Sequence, residues 1–264
     1  MLRVGFIDYL NCLPLRLGLE GTGGLEGVEL VGGTPAEVNA ALLSGEVELG
    51  LVSSASWARN RDRLKRLEGY GIASDGPVMS VLLATREDRT LPEARRVALT
   101  SESATSHSLA RLVLERVYGA SPLYEVVSTR PEWVLDEYDA ALFIGDTALR
   151  VRCMGGVEVY DLGEAWERLA GLPMVYAVWA SRRDSALLGF WRERVARAVS
   201  WAGEHLDELV AEARCSCPAA EGDLRTYFSS CIGYRLGARE EEGLERYLSE
   251  GGLLTSRVYG KVSA

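Results

Sequence analysis

The chain has 264 residues, 47% of them hydrophobic and 25% charged, with a formal net charge of −9. That length allows one large domain or two ordinary ones, and no run of 18 apolar residues is present to span a membrane. The acidic balance argues against nucleic-acid or anionic-membrane partners, which demand a basic patch, but a few N–H groups in a cleft can still hold a small anion.

The opening Met1-Leu2-Arg3-Val4-Gly5-Phe6-Ile7-Asp8 meets an acid after a few apolar residues and lacks an h-region, so the expected compartment is the cytoplasm. Val4–Ile7 reads as a buried strand and a helix begins near Asn11. Val28–Val31 is a second strand. Thr34, Pro35 and Glu37 then open a helix as N-cap, first helical residue and capping-box partner. Glu48–Val52 is a strand running into Ser53-Ser54-Ala55-Ser56, another helix start. Gly69–Ala73 and Val78–Thr85 are β-like, and the charged, Pro-containing run Arg86–Glu93 reads as an interdomain crossover. After it come strand Arg96–Leu99, helix Ala104–Tyr118, strand Tyr124–Val127, helix Pro131–Glu137 and strands Ala140–Ile144, Val157–Asp161 and Val175–Ala180. From Ala186 to Arg214 the apolar residues recur at three and four, which predicts one long helix with Phe190, Trp191 and Trp201 as core anchors. Helices Glu221–Tyr234 and Arg239–Ser249 follow.

Strand–helix alternation predicts an α/β protein of mostly parallel sheets. Two such units joined by two crossings suggest two lobes around a cleft, as in the type 2 periplasmic-binding-protein fold. The expected division is residues 1–88 plus 181–264 for the first lobe and 89–180 for the inserted second.

Such sheets bind ligands at the carboxyl ends of their strands. Asn11, in the loop after the first strand, reads either as a helix cap or as a functional amide. Ser53 and Ser54 end another strand. Ser80 interrupts an apolar strand, so its hydroxyl needs a partner if buried. Thr100-Ser101-Glu102-Ser103-Ala104-Thr105-Ser106 is a hydroxyl-rich turn into a helix, where N–H groups and hydroxyls suit a carboxylate without any lysine. Ile144-Gly145-Asp146 repeats the strand-to-helix pattern, with Asp146 as the expected cap. The substrate-binding set expected from these loops is Ser53, Ser54, Ser103, Thr105, Ser106, Gly145 and Asp146.

Cys12, Cys153, Cys215, Cys217 and Cys231 are odd in number and scattered, as in a reducing compartment. Cys215-Ser216-Cys217 lacks the C-x-x-C spacing and reads as small side chains before Pro218. The two histidines, His107 and His205, lie in no metal-ligand pattern, and neither a Gly-x-Ser-x-Gly elbow nor a Gly-x-Gly-x-x-Gly loop occurs.

Taken together, Tyr9-Leu10-Asn11-Cys12-Leu13-Pro14-Leu15, Val52-Ser53-Ser54-Ala55, Ala73-Ser74-Asp75-Gly76-Pro77-Val78, Leu99–Ser106 and Ile144–Leu149 resemble the signature segments of the chorismate dehydratase family. Tyr160-Asp161-Leu162-Gly163, Trp166 and Gly171-Leu172-Pro173 extend the likeness. The sister dihydroxynaphthoate synthases open on a motif nearer Ser-Pro-Cys-Pro-Asn-Asp, unlike this chain. The resemblance implies a lyase that dehydrates chorismate to 3-[(1-carboxyvinyl)oxy]benzoate without metal or organic cofactor, opening the futalosine route to menaquinone. It also implies catalytic places for Asn11 and Ser80 near the reacting carbons. The rival reading is a non-catalytic solute-binding protein for a small carboxylate.

Overall fold

The computed structural model describes residues 1–127, 131–182 and 185–253. The chain begins β1 (Leu2–Ile7), a 3-10 turn (Leu10–Cys12), α1 (Leu13–Gly21), β2 (Val28–Gly33), α2 (Pro35–Ser44), β3 (Leu49–Ser53), α3 (Ser54–Arg59) and β4 (Lys65–Ser74). It continues with β5 (Val81–Arg86), β6 (Arg96–Thr100), α4 (Ala104–Arg116), β7 (Leu123–Val127), α5 (Pro131–Glu137), β8 (Ala140–Ile144), α6 (Gly145–Val151), β9 (Val157–Asp161) and α7 (Leu162–Ala170). It closes with β10 (Met174–Ser181), α8 (Ser185–Glu204), α9 (Leu206–Ala213), α10 (Glu221–Thr226), a π-helical turn (Tyr227–Cys231), β11 (Gly233–Arg235) and α11 (Ala238–Glu250).

Two sheets form, one in the order β11-β4-β10-β3-β1-β2 and one in the order β7-β6-β8-β5-β9. β1 pairs in parallel with β2 and β3, and β6 with β7 and β8. The strands that exchange lobes run the other way: β10 is antiparallel to β3 and β4, and β5 to β8 and β9. The α/β two-lobed architecture is therefore as expected.

The crossings lie elsewhere than expected. β5 belongs to the second sheet and β10 to the first, so the chain changes lobe at residues 75–80 and 162–173, not at 88/89 and 180/181. The charged run from Arg86 is a turn inside the second lobe, where Thr85 Oγ1 donates to the Arg89 carbonyl. The real crossover carries Asp75-Gly76-Pro77, with Gly76 at φ +100.

Local signals decide most elements. The Thr34–Glu37 capping box starts α2, and Gly45 at φ +87 ends it. Trp166, Trp179 and Trp191 are fully buried, and the last two meet edge to face, fixing α8 against the first sheet. Phe190, expected in the core, is 46% exposed.

The long C-terminal helix breaks at His205. The ring Nδ1 takes the Trp201 carbonyl at 2.7 Å, while the His205 N–H shifts to Ala202, so the helical ladder is interrupted there. The expected helix Glu221–Tyr234 likewise ends as a π turn and a strand, because β11 adds to the edge of β4 and Tyr234 donates its hydroxyl to the Asn11 carbonyl.

Candidate functional site

The carboxyl ends of β1, β3 and β8 meet the amino end of β5 at one cavity. β5 reaches it because its antiparallel register sets Val81 opposite Ile144. Tyr9, Asn11, Ser53, Ser80, Ser103, Ser106, Gly145 and Tyr176 line it, together with apolar side chains and no charged one.

Asn11 caps no helix. The 3-10 turn and α1 have Tyr9 and Cys12 as their N-terminal flanking residues, and neither uses a side chain. The Asn11 Oδ1 atom is buried without a hydrogen-bond partner. A buried unpaired amide oxygen is costly, and its position on the cavity wall leaves it available to a ligand.

Ser53 and Ser103 share one arrangement. Ser53 Oγ accepts from Asn39 Nδ2 and from the Ser56 N–H, which makes it the N-cap of α3. Ser103 Oγ accepts from the Ser106 N–H at 3.3 Å and the Ser106 hydroxyl at 3.0 Å, capping α4. With both lone pairs engaged, each of the two hydroxyls has only its proton left to offer. The first-turn N–H groups of α4 have no intrahelical acceptor, and the helix dipole favours an anion there. Capping of α4 by Ser103 thus leaves its proton free for another acceptor.

Ser80 is buried, and its hydroxyl donates to the Val78 carbonyl at only 3.3 Å. The Ser80 carbonyl accepts the Gly145 N–H at 2.8 Å, which ties the crossover to α6. Gly145 sits at φ +56, and a Cβ there would lie 2.6 Å from the Tyr9 ring.

Three expected binding residues lie outside the cavity wall. Ser54 donates its hydroxyl to the Val175 carbonyl at 2.8 Å, joining α3 to β10. Thr105 Oγ1 accepts the Ala55 N–H at 3.0 Å, and the Thr105 carbonyl accepts the Tyr247 hydroxyl, so this residue holds the lobes together. Asp146 is a helical residue of α6, with Ile144 as the flanking position, and caps nothing on its own helix. Its carboxylate accepts the Leu10 N–H across the cleft, and burial pushes its pKa above the ordinary aspartate value.

Two lining tyrosines were not among the expected site residues. The Tyr9 hydroxyl donates to Glu102 at 2.7 Å across the cleft, and burial with that hydrogen bond holds the phenol protonated. Tyr176, on β10, hydrogen-bonds Ser74 at 3.0 Å and is likewise raised by burial.

A menaquinone biosynthesis family model matches residues 2–252. The chorismate dehydratase of Thermus thermophilus is 39% identical over 69% of this chain and 70% of that protein. The chorismate dehydratase of Campylobacter jejuni is 24% identical over 92% of this chain and 95% of that one. The 1,4-dihydroxy-6-naphtoate synthase of Thermus thermophilus is 29% identical over 66% of this chain and 63% of its own length. Among solved structures, the periplasmic aliphatic sulphonate binding protein of Escherichia coli superposes with TM-score 0.66 at 15% identity, covering 97% of this chain and 89% of that one. That likeness bears on the fold.

Proposed function

The chain belongs to the menaquinone biosynthesis family, and from that membership we propose that its interlobe cavity dehydrates chorismate to 3-[(1-carboxyvinyl)oxy]benzoate and water. The reading places the chain at the opening of the futalosine route, in the cytoplasm. All five cysteines are free, in keeping with a reducing compartment.

The observation that carries the reaction is the unpaired Asn11 amide oxygen on a wall shared with Ser80 and free of charged side chains. Chorismate brings its own charge as two carboxylates. Its ring carboxylate is conjugated to the carbon bearing the enolpyruvyl ether, so removing the hydrogen there sends charge into that carboxylate. The Ser103 hydroxyl and the free N–H groups at the α4 N-terminus receive the ring carboxylate, and their hydrogen bonds strengthen as the charge grows. The adjacent hydroxyl then departs and the ring becomes aromatic. No lining side chain is an ordinary base. The second carboxylate of the substrate takes the proton and passes it to the departing hydroxyl, which leaves as water, while Asn11 and Ser80 orient that carboxylate and the hydroxyl. The buried site contributes by fixing this geometry and excluding water.

Incubation of the purified chain with chorismate, with the aromatic product followed by absorbance, separates this reading from a non-catalytic binder of the same fold. Chorismate recovered unchanged while binding is measurable supports the binder.

A further inference from the structure

Asp161 does more than a helix cap requires. It ends β9 and flanks α7, where its Oδ1 atom accepts the Gly163 N–H at 2.9 Å and the Glu164 N–H at 3.2 Å. Those two bonds are ordinary capping. The same carboxylate also accepts the N–H of Val78, at 3.0 and 3.1 Å to its two oxygens, and Oδ2 accepts the N–H of Met79 at 2.7 Å. These donors sit in the lobe crossover, immediately before Ser80.

The backbone they hold is unusual. Met79 has φ +60, the only non-glycine residue with positive φ among those described, and the Ser80 N–H folds back onto the Val78 carbonyl at 2.7 Å. A three-residue turn of this hand is strained for an L residue and persists only where the surroundings impose it. The approach of the crossover to α7 is equally tight. A Cβ on Gly163 would lie 2.4 Å from the Gly76 carbonyl oxygen and 2.8 Å from Ser74 Oγ, so only glycine fits. On the far side, the Gly145 N–H grips the Ser80 carbonyl. Asp161 does not line the cavity.

We propose that Asp161 is a positioning residue for Ser80. By gripping the Val78 and Met79 N–H groups, it imposes the turn that sets the Ser80 hydroxyl on the cavity wall. The role rests on the reading that Ser80 acts on the substrate. It also gives the Asp161-Leu162-Gly163 segment a function that helix capping does not exhaust.

The test is a double-mutant cycle between Asp161→Asn and Ser80→Ala. Asparagine keeps one acceptor oxygen for α7 but turns an NH2 group toward one set of donors. We expect Asp161→Asn to lower kcat on chorismate by about tenfold or more, as small misplacements in active sites do, with KM little changed. In the Ser80→Ala background the same substitution should cause almost no further loss. Equal fold losses in both backgrounds overturn the proposal, because a general structural role acts whether or not Ser80 is present. A crystal structure of Asp161→Asn gives a readout independent of turnover. Met79 leaving positive φ, with Ser80 Oγ withdrawn from the wall, supports the proposal, and an unchanged turn overturns it. This arm still decides if the wild-type chain leaves chorismate unchanged, an outcome that removes the proposed reaction instead. Should Asp161→Asn fail to fold, Asp161→Ser replaces it, since serine still caps α7 but is too short to span to the crossover.

Discussion

The Asp146 carboxylate in the second lobe accepts the backbone N–H of Leu10 in the first at 2.8 Å. The 3-10 turn after β1 is therefore capped from across the cleft, and Asn11 is released from the capping duty its sequence position suggests. The Tyr9–Glu102 hydrogen bond closes the same side. Together the two contacts hold the loop that carries Asn11 against the lobe that carries Ser103 and Ser106.

Replacing Asn11 by alanine should therefore reduce turnover sharply while sparing the fold. The expected loss in kcat is about 10²–10³-fold, the range for removing one group that acts in the transition state. The melting temperature should change little, because no cap is lost. Both quantities are measured on one sample. A helix-capping role would instead lower stability by about 1 kcal/mol with turnover nearly normal.

Thr105 and Ser103 should separate cleanly. Thr105→Val removes the acceptor of the buried Ala55 N–H, with an expected stability loss of about 1–3 kcal/mol. Product affinity per folded molecule should hold. Ser103→Ala should weaken product binding by about 1.5–3 kcal/mol, as for a hydrogen bond to a charged group. Calorimetry with the benzoate product, alongside thermal melts, distinguishes the two patterns. Loss of affinity in Thr105→Val would count against the assignment of that residue to the lobe contact.

Asp146 gives a pH signature. Burial raises its pKa in the folded chain above the ordinary 3.8. The folded state thus holds the proton more tightly than the unfolded one. This stabilisation is present below the unfolded pKa and is lost as pH rises through the folded pKa. Asp146→Asn retains an oxygen for the Leu10 N–H and cannot titrate. Its stability should improve relative to wild type as pH climbs from about 4 towards neutrality, the window above the ordinary aspartate pKa. Asp8 and Asp161, also raised by burial, keep their own contributions in both proteins, so the difference isolates residue 146. Parallel denaturation midpoints across that range contradict the assignment.

The local signals of the sequence survive into the structure where their partners are also local. Thr34, Pro35 and Glu37 build the expected capping box, and Ser53 and Ser103 cap the helices their spacing predicts. Asn11 and Ser80, far apart in the chain, line one cavity. What was not legible depends on partners distant in the chain. Thr105 stands between Ser103 and Ser106 in one hydroxyl-rich turn, and only the packing of α4 against α3 decides that it faces Ala55. Charge and proline made Arg86–Glu93 look like the crossover, but strand pairing assigns β5 to the second sheet. Tyr176 lies in an apolar strand, and nothing near it in sequence announces that its hydroxyl meets Ser74 on β4. The helix α7 was missed in the sequence although its signals are local, with Asp161 as cap and Leu162, Ala165 and Trp166 as a buried stripe.

On the function proposed above, this cavity dehydrates chorismate with Asn11 and Ser80 as the acting side chains. The most direct measurement is product formation from chorismate by the purified chain, quantified by chromatography against an Asn11→Ala/Ser80→Ala control of matched stability. The expected result is one equivalent of 3-[(1-carboxyvinyl)oxy]benzoate per chorismate consumed, over many turnovers, with chelator present and no cofactor added, and near-background conversion by the control. Recovery of unchanged chorismate from the wild-type chain, or equal conversion by the control, would contradict it.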